Sequence, residues 1–310
     1  MDVIDRIRFW VSRKLSQFLL YHRFKGSFLL RKYLCRLLMP RPPQGPLICD
    51  TIFGVKVRID PLGHKGLESS IYYFGEYEAG TLYVLEQLLG EGDIFLDVGA
   101  NIGFISIVVA CFIGKGGLVY AVEPHPLIFK ELQENISLNQ AKNIVPLNVA
   151  LGSGPCEAML YDNLDINWGS ASLIPPKNRG TATGWPVKVT SIDELIQSGY
   201  IQTPDVVKID VEGFELEVLK GSKNLLSSAN APALCVEFST LHAVYGGNLH
   251  DIYDFIKEIN CYRAFRCRLG KEVPSTLVEI TKIEFPKHDN LFFLLPKHIG
   301  KIKSKVAASL

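Results

Sequence analysis

From residue 93 onward, short apolar segments alternate with segments whose apolar residues recur every three or four positions. Five apolar segments have the length of β-strands: Ile94–Val98, Leu118–Val122, Ile144–Val149, Val206–Ile209 and Leu234–Phe238. Between the second and the third, "PLIFKELQENISLN" begins with a proline suited to a helix's first turn and repeats Ile128, Leu132 and Ile136 at helical spacing. This alternation predicts an α/β fold with a mostly parallel sheet and helices on both faces.

The segments on either side of this region predict additional elements. A helix near His250–Ile259 precedes two apolar segments, "YRAFRC" and "LFFLLP"; if these pair antiparallel, the sheet gains a reversed strand at one edge. Upstream, "DTIFGVKVRID" predicts a hairpin, and "AGTLYVLEQLLGEGD" predicts a helix closed by Gly90 or Gly92.

Residues 1–45 differ from the rest of the chain, because they contain ten Lys and Arg against two acids. At helical spacing, one narrow face carries the apolar residues Ile4, Ile7, Val11, Leu15 and Phe18. Such a helix can lie on an anionic membrane surface through residues 1–38, or it can dock on the body of the protein; we favour the second. An Arg-rich transit peptide is a third and weaker interpretation.

The composition shifts divide the chain into four parts. A basic amphipathic segment occupies residues 1–45 and ends in the linker "MPRPPQGP"; a β/α lead-in covers residues 46–88. The main α/β domain is expected at residues 89–300, and residues 301–310 form a basic tail.

Composition excludes several classes of protein. The net charge of +1 does not indicate a nucleic-acid partner, and no apolar run is long enough to predict a transmembrane helix. The seven cysteines are odd in number and form no Cys-x-x-Cys pair, which favours free thiols, a reducing compartment and no structural metal. We therefore expect a cytoplasmic protein, with membrane association through the basic segment as the alternative.

The stretch "DVGANIG" follows the first predicted strand, where ligands bind in open α/β sheets. Gly99 and Gly103 let the backbone approach a ligand, Asn101 tolerates a left-handed conformation, and the helix after Gly103 offers free N–H groups. A tight strand–helix turn without a ligand is the less favoured alternative.

Two acids narrow the choice of ligand. A dinucleotide site prefers Gly-x-Gly-x-x-Gly, whereas this turn has only two glycines and an acid, Asp97, before them. The carboxylate of Asp97 would repel a pyrophosphate and attract an ammonium group. Glu123 ends the second strand, where an acid can accept both ribose hydroxyls of a nucleoside. Together they indicate S-adenosylmethionine, whose methionine end carries an ammonium and a carboxylate.

Residues 89–240 resemble FkbM-type S-adenosylmethionine-dependent methyltransferases. The motifs that carry the resemblance occur in the family's order: "DIFLDVGANIGFIS", "VYAVEPHPLIFKELQENISLN", "VKVTSIDELI", "DVVKIDVEGFELEVLKGSKNLL" and "LCVEFS". "DVGANIG" occurs in several groups of methyltransferases, while "KIDVEGFELEVLKG" is a sharper marker of this family. The resemblance implies a class I methyltransferase fold of the Rossmann-like type and an acceptor hydroxyl on a sugar, glycan or small metabolite.

The resemblance also implies roles for individual residues. Asp97, Gly99, Asn101 and Gly103 would contact the methionine end of the cofactor, Glu123 its ribose, and Ala150 with Leu151 its adenine. The stretch "NWGSAS" falls where the family has a polar loop, so Trp168 and Ser170 are assigned to the substrate side; a plain loop explains them nearly as well.

Three acids follow the fourth and fifth strands and should gather at the same edge of the sheet. We expect Glu237 to contact substrate and name Asp210, Glu212 and His242 as candidates for the base that takes the acceptor's proton. Asp210 could instead hold a ligand, Glu212 could cap the next helix, and His242 could be an ordinary loop residue.

Three questions stay open from the residues. Oxygens from the three acids could coordinate Mg²⁺, although their spacing does not establish a site. Oxygen and nitrogen acceptors are not distinguished. A nicotinamide-dependent oxidoreductase and a cofactor-binding module without catalytic activity are the two rival functions.

Overall fold

The computed structural model describes residues 3–302 except 23, 25, 63–65, 162–170, 174–183, 240–247, 281–284 and 287. Within these ranges, eight strands form one sheet in the order β12-β11-β13-β10-β9-β3-β4-β5. The strands are β3 (Ile94–Val98), β4 (Leu118–Val122), β5 (Ile144–Leu147), β9 (Val206–Ile209), β10 (Ala233–Ser239), β11 (Arg263–Cys267), β12 (Leu277–Glu279) and β13 (His288–Leu294).

The five predicted strands are confirmed as the parallel part of this sheet, with β5 ending at Leu147. Counted along the chain, their spatial order is 3-2-1-4-5, which is the doubly wound order. The order reverses between β3 and β9, so the two strands that carry Asp97 and Lys208 lie side by side. Ligands bind at such a switch point, beyond the carboxyl ends of the strands.

The antiparallel end of the sheet is built from the last strands of the chain. The predicted antiparallel pairing of "YRAFRC" with "LFFLLP" is confirmed by β11 and β13. Strand β13 is also antiparallel to β10, so it lies inside the sheet, and the short antiparallel strand β12 forms the edge. Because β13 runs in reverse, its first residues lie at the same edge as the carboxyl ends of the parallel strands.

Helices cover both faces, because successive residues of each buried strand point to opposite sides. The helices are α4 (Ala79–Leu88), α5 (Phe104–Phe112), α6 (Pro126–Leu138), α7 (Ile192–Gln197), α8 (Glu215–Lys220), α9 (Lys223–Ser227), α10 (Leu249–Ile259) and α11 (Pro296–Ile299). Phe95 faces the core that includes α4, α5 and α6, whereas Leu96 faces the core that includes α7 to α10. Three further strands, β6 (Ala150–Leu151), β7 (Cys156–Tyr161) and β8 (Gly184–Thr190), form a small separate sheet.

The lead-in packs against the main domain. The predicted hairpin is confirmed as β1 (Leu47–Asp50) and β2 (Lys56–Ile59), and the predicted helix α4 ends at Leu88, before either glycine. Asn135 of α6 and Asn139, which follows that helix, accept hydrogen bonds from the backbone of β2 at 2.7 and 2.9 Å. Residues of the lead-in and of the sheet therefore share one core.

Two helices precede the hairpin, α1 (Val3–Tyr21) and α2 (Ser27–Leu38), and both pack on α3 (Leu67–Phe74). The favoured docking of the basic segment on the rest of the protein is therefore observed. The hydrogen bonds between α1 and α3 are made by polar side chains. Arg13 donates 2.8 Å hydrogen bonds to the carbonyls of Ile71 and Tyr72, and Ser16 donates one of 2.7 Å to Phe74. These carbonyls belong to the last turn of α3, where the negative end of the helix dipole attracts a cation; the carbonyl of Ile71 also accepts from the N–H of Gly75 at 2.9 Å.

The apolar face predicted for α1 points away from this contact. Ile4, Ile7 and Phe18 expose 68%, 57% and 53% of their surface, while Ser12 and Ser16 are fully buried. The helix docks instead through polar groups that donate to carbonyl oxygens at the end of α3, together with the buried Leu19 and Leu20. None of the described helices has both the length and the apolar character needed to cross a membrane.

A buried ion pair holds α2 in place and gives a stability test. Arg31 lies 2.6 Å from Glu76, and both side chains are almost completely buried. We expect Arg31→Met to lower the free energy of unfolding by about 3–5 kcal/mol, because Glu76 is left as an uncompensated buried acid. Urea unfolding measures the loss. Lys32→Met, at the exposed neighbouring position, is the control; equal losses for both variants would contradict the role of the ion pair.

Candidate active site

A cavity of about 350 Å³ lies at the carboxyl edge of the sheet, at the switch point between β3 and β9. Strand ends bring five predicted site residues to its wall: Asp97, Glu123, Asp210, Glu212 and Glu237. The small sheet supplies Ala150 and Leu151 on another side. The topology therefore gathers residues that are far apart in the sequence around one cavity.

The first turn, "DVGANIG", fits closely against the end of β9. Gly99 has φ +85°, and a Cβ atom built on it would lie 1.8 Å from the carbonyl oxygen of Asp210. Asn101 adopts the predicted left-handed conformation with φ +51°. A glycine at position 99 thus lets the ends of the first and fourth parallel strands approach each other, in addition to opening room for a ligand.

Gly103 is the one predicted cofactor residue that does not line the cavity. It has φ +87°, and a Cβ atom there would lie 2.4 Å from the side chain of Leu132 in α6. Its lack of a side chain is explained by the packing of α5 against α6, so its contact with a cofactor rests on the family resemblance alone.

Asp97 is completely buried and keeps one oxygen for a ligand. Ser106 donates a 2.6 Å hydrogen bond to Oδ2, whereas Oδ1 has no hydrogen-bond partner within the described ranges. Burial raises the pKa of Asp97, and the neighbouring Lys208 counteracts this increase. An unsatisfied carboxylate oxygen at a cavity wall is suited to accept from an ammonium group.

Glu123 joins the first turn to the end of the second strand. Its two oxygens accept hydrogen bonds from the backbone N–H groups of Asn101 and His125 at 3.0 and 2.9 Å. Burial raises its pKa to about 7, against the effect of these two bonds. Each carboxylate oxygen retains capacity for a further donor, such as a ribose hydroxyl.

Lys208 lies among the acids and was not predicted. Its ammonium is 2.8 Å from Asp210 and is almost fully buried. Burial alone would lower the pKa of Lys208, but the carboxylates of Asp210, Asp97 and Glu78 raise it above its ordinary value. Burial likewise opposes ionisation of Asp210, yet Lys208 and Lys271 lower its pKa to about 2. Asp210 is therefore a stable carboxylate at neutral pH.

Lys271, also not predicted, connects two other acids. Its ammonium lies 2.9 Å from Glu78 and 2.7 Å from Glu237. The oxygens of Glu78, Asp210 and Glu237 come within 4.8 Å of one another, close enough to share a divalent cation. A lysine ammonium group already lies against each of these three carboxylates. The arrangement is therefore better explained by ion pairs with lysine than by a Mg²⁺ site.

Glu212 differs from Asp210 in its protonation. It has φ +53° and follows the end of β9, where Ser172 donates a 3.0 Å hydrogen bond to its backbone carbonyl. Burial and the charges of Asp210 and Glu215 raise its pKa to about 8. Glu215, rather than Glu212, accepts from the backbone N–H groups of Val211 and Gly213 in the turn before α8. Among the described residues, no side chain caps the start of α8, so the capping role considered for Glu212 is not observed.

Residues that sequence reasoning missed come from segments outside the parallel strands. His288 lines the cavity and lies 3.5 Å from Glu237; burial and the charge of Lys271 lower its pKa. His288 begins the reversed strand β13, and Lys271 follows β11. The antiparallel direction of "LFFLLP" was the signal for His288, since it brings the start of that strand to the ligand edge. Trp168, Ser170 and His242 lie outside the described residues.

Comparisons with known proteins place this geometry in a family. The family model of the methyltransferase FkbM domain matches residues 97–267. Hexuronic acid methyltransferase AglP of Haloferax volcanii is 36% identical over 155 residues, covering 49% of this chain and 59% of the relative. Methyltransferase sdnD of Sordaria araneosa is 29% identical over 163 residues, covering 43% and 61%. The chain thus spans about three-fifths of the length of these two relatives.

Two solved structures align with this chain at low similarity. The methyltransferase FkbM from Methylobacillus flagellatus aligns with a TM-score of 0.43 and 18% identity, covering 94% of this chain and 59% of that chain. M. jannaschii TYW2 in complex with AdoMet aligns with a TM-score of 0.41 and 13% identity, covering 82% and 87%. The family match and the strand order confirm the expected class I methyltransferase fold.

The contact between Gly99 and Asp210 gives a test of the site's construction. We expect Gly99→Ala to destabilise the protein by more than about 3 kcal/mol, because the new methyl group collides with backbone that cannot rotate away. Gly92→Ala is the matched control, since Gly92 has φ +88° but open space around it, leaving only a cost of about 1–2 kcal/mol for the left-handed conformation. Chemical unfolding of both variants measures the difference, and similar losses would contradict the steric argument.

Proposed function

This chain belongs to the FkbM methyltransferase domain family, and on that basis we propose that it transfers the methyl group of S-adenosylmethionine to a hydroxyl oxygen of a sugar, glycan or small metabolite. The observation that carries the proposal is one cavity lined by five acids at the ends of parallel strands: Asp97, Glu123, Asp210, Glu212 and Glu237. Asp97 and Glu123 suit the ammonium group and the ribose hydroxyls of the cofactor, and the other three suit an acceptor with several hydroxyls.

The residues present fit S-adenosylmethionine. The unsatisfied Oδ1 of Asp97 is suited to an ammonium, Glu123 to hydroxyls, and the apolar Ala150 and Leu151 to a flat base. When bound, this cofactor supplies a methyl group on a positively charged sulfur, which a nucleophilic oxygen can attack in line. The protein's contribution is to align the two partners in a cavity that excludes water.

The acceptor side combines hydrogen-bond acceptors with cations. Asp210 is ionised and can accept from acceptor hydroxyls, while Lys271 and Lys208 keep the acids from repelling one another. A polyhydroxylated acceptor satisfies several such groups at once. The similarity to a hexuronic acid methyltransferase supports a sugar or glycan as the acceptor class.

We assign the base to Glu212. A general base works best when its pKa lies near the working pH, and Glu212, with a pKa of about 8, meets this condition. The pKa of Asp210 is about 2, so its carboxylate is a weak base better suited to positioning. Glu212 would take the proton of the acceptor hydroxyl as its oxygen bonds to the methyl carbon and the sulfur leaves as a neutral thioether.

His288 is the second candidate for the base, because it lines the same cavity and its lowered pKa keeps the imidazole neutral at pH 7. The two candidates predict different pH profiles. With Glu212 as the base, activity requires loss of its proton and rises through a pH of about 8. With His288 as the base, the rise occurs below pH 6.5 and activity is flat above neutrality.

Measurement of kcat/KM against pH, once an acceptor is in hand, decides between them. We expect an inflection near pH 8 in the wild type, and its loss in Glu212→Gln together with a decrease in kcat of about 10²–10⁴-fold. Glu217→Gln, on the exposed surface of the neighbouring helix, should leave the profile unchanged. An inflection that persists in Glu212→Gln and disappears in His288→Gln would assign the base to His288.

Binding of the cofactor is tested separately by calorimetry. We expect wild-type protein to bind S-adenosylmethionine and not NAD, and Asp97→Asn to weaken S-adenosylmethionine binding at least about tenfold, because the ammonium loses a charged partner. Asp193→Asn, whose carboxylate caps α9 away from the cavity, is the control. Binding of NAD alone would favour an oxidoreductase, and binding of neither would favour a module without catalytic activity; both results would overturn the proposal.

A further inference from the structure

The outward faces of α1 and α2 are apolar, although both helices are docked. Their inner sides are held by buried polar contacts: Arg13 on the end of α3, Arg31 on Glu76, and the Cys35 thiol on the carbonyl of Ser12. The contacts of Arg13 and Arg31 fix the two helices against the body of the protein, and the contact between Cys35 and Ser12 joins the helices to each other. Residues on the opposite sides therefore face away from it.

Helical spacing places the exposed apolar residues in two continuous stripes. In α1, Ile4, Ile7, Val11 and Phe18 lie about 180° around the helix axis from the buried Ser16 and Leu20. In α2, Leu29, Tyr33 and Leu37 recur every fourth residue and expose 70%, 68% and 61% of their surface. Isolated exposed apolar residues are ordinary, but two adjacent stripes of them indicate a surface that another partner covers.

The charges that flank the stripes are mostly positive. Arg6, Lys14, Lys32 and Arg36 are exposed on the two helices. The acid described in this segment, Asp5, lies 3.6 Å from Arg8. The surface is therefore complementary to an anionic partner, and it would repel a second copy of itself.

Aromatic residues with polar tips border the apolar stripes. Trp10 and Tyr21 expose 62% and 51% of their surface and lie beside the stripe on α1, while Tyr33 forms part of the stripe on α2. Such residues favour the boundary between hydrocarbon and water, where the ring is buried and its polar group stays hydrated. A stripe of aliphatic residues with aromatic residues and cations beside it is typical of helices that lie flat in a membrane interface.

We propose that these outward faces, which we call the α1–α2 surface, dock the protein on an anionic lipid bilayer. The apolar stripes would enter the headgroup boundary, and the cations would contact lipid phosphates and carboxylates. Each cation near such a membrane increases binding about fivefold at moderate salt, and the increase declines as salt screens the charge. The proposal is independent of the methyl-transfer reaction, because no residue of the α1–α2 surface lines the cofactor cavity.

Flotation with lipid vesicles tests the proposal on the full chain. We expect the protein to float with vesicles of phosphatidylcholine mixed with phosphatidylserine, to float much less with phosphatidylcholine alone, and to be released by high salt. Leu29→Asn/Leu37→Asn should lower binding at least about tenfold, because the helix loses its apolar contact. Lys14→Gln/Lys32→Gln should also lower vesicle binding, because two positive charges that attract anionic lipid are lost.

Matched substitutions elsewhere serve as controls. Leu269→Asn removes a leucine that is 56% exposed on another part of the surface, and Lys188→Gln removes an exposed cation there; neither should change flotation. All replaced side chains are exposed, so thermal unfolding should be nearly unchanged. Absence of binding to anionic vesicles, or equal effects of the control variants, would overturn the proposal. Self-association in sedimentation experiments that Leu29→Asn/Leu37→Asn abolishes would assign the surface to a second copy instead.

Discussion

The candidate site depends on two lysine ammonium groups buried among carboxylates. Asp97, Asp210, Glu237 and Glu78 come together where strands end, and burial of several like charges in one place is unfavourable without compensation. Lys208 compensates Asp210, and Lys271 lies between Glu78 and Glu237. This pairing leaves the acids with different protonation, so one edge of the sheet can hold a permanent carboxylate and a proton acceptor side by side.

Close packing of the strand ends makes the charge arrangement possible. Gly99 lets the turn after β3 contact the backbone of Asp210, and Glu123 ties that turn to the end of β4 through two backbone N–H groups. The acids are consequently fixed by main-chain contacts and by lysines, not by flexible side chains of a surface loop. A preorganised site of this kind loses little energy on aligning two reactants, which is where much of the rate of a displacement reaction arises.

Strand periodicity and the position of acids after strands were sufficient to predict the parallel sheet and the cavity residues Asp97, Glu123, Asp210, Glu212 and Glu237. Lys271 and His288 were missed, because their place follows from how the last strands pair, which the local sequence does not contain. Gly103 could not be assigned from the sequence for a different reason. Close packing of two helices and contact with a ligand both require a residue without a side chain, so the glycine alone does not distinguish them. On α1, periodicity located the apolar face correctly but did not indicate that a polar face would dock.

We propose that a hydroxyl acceptor and S-adenosylmethionine meet at this edge of the sheet. Incubation of the protein with S-adenosylmethionine carrying a ¹³C-labelled methyl group and a mixture of sugars and glycans, followed by mass spectrometry, tests it most directly. We predict a product that has gained one labelled methyl group on oxygen and whose yield, at a concentration of S-adenosylmethionine below saturation, falls at least about tenfold when Asp97→Asn replaces the wild type. A protein that binds S-adenosylmethionine yet labels nitrogen, or labels nothing across a broad range of hydroxyl acceptors, would contradict it.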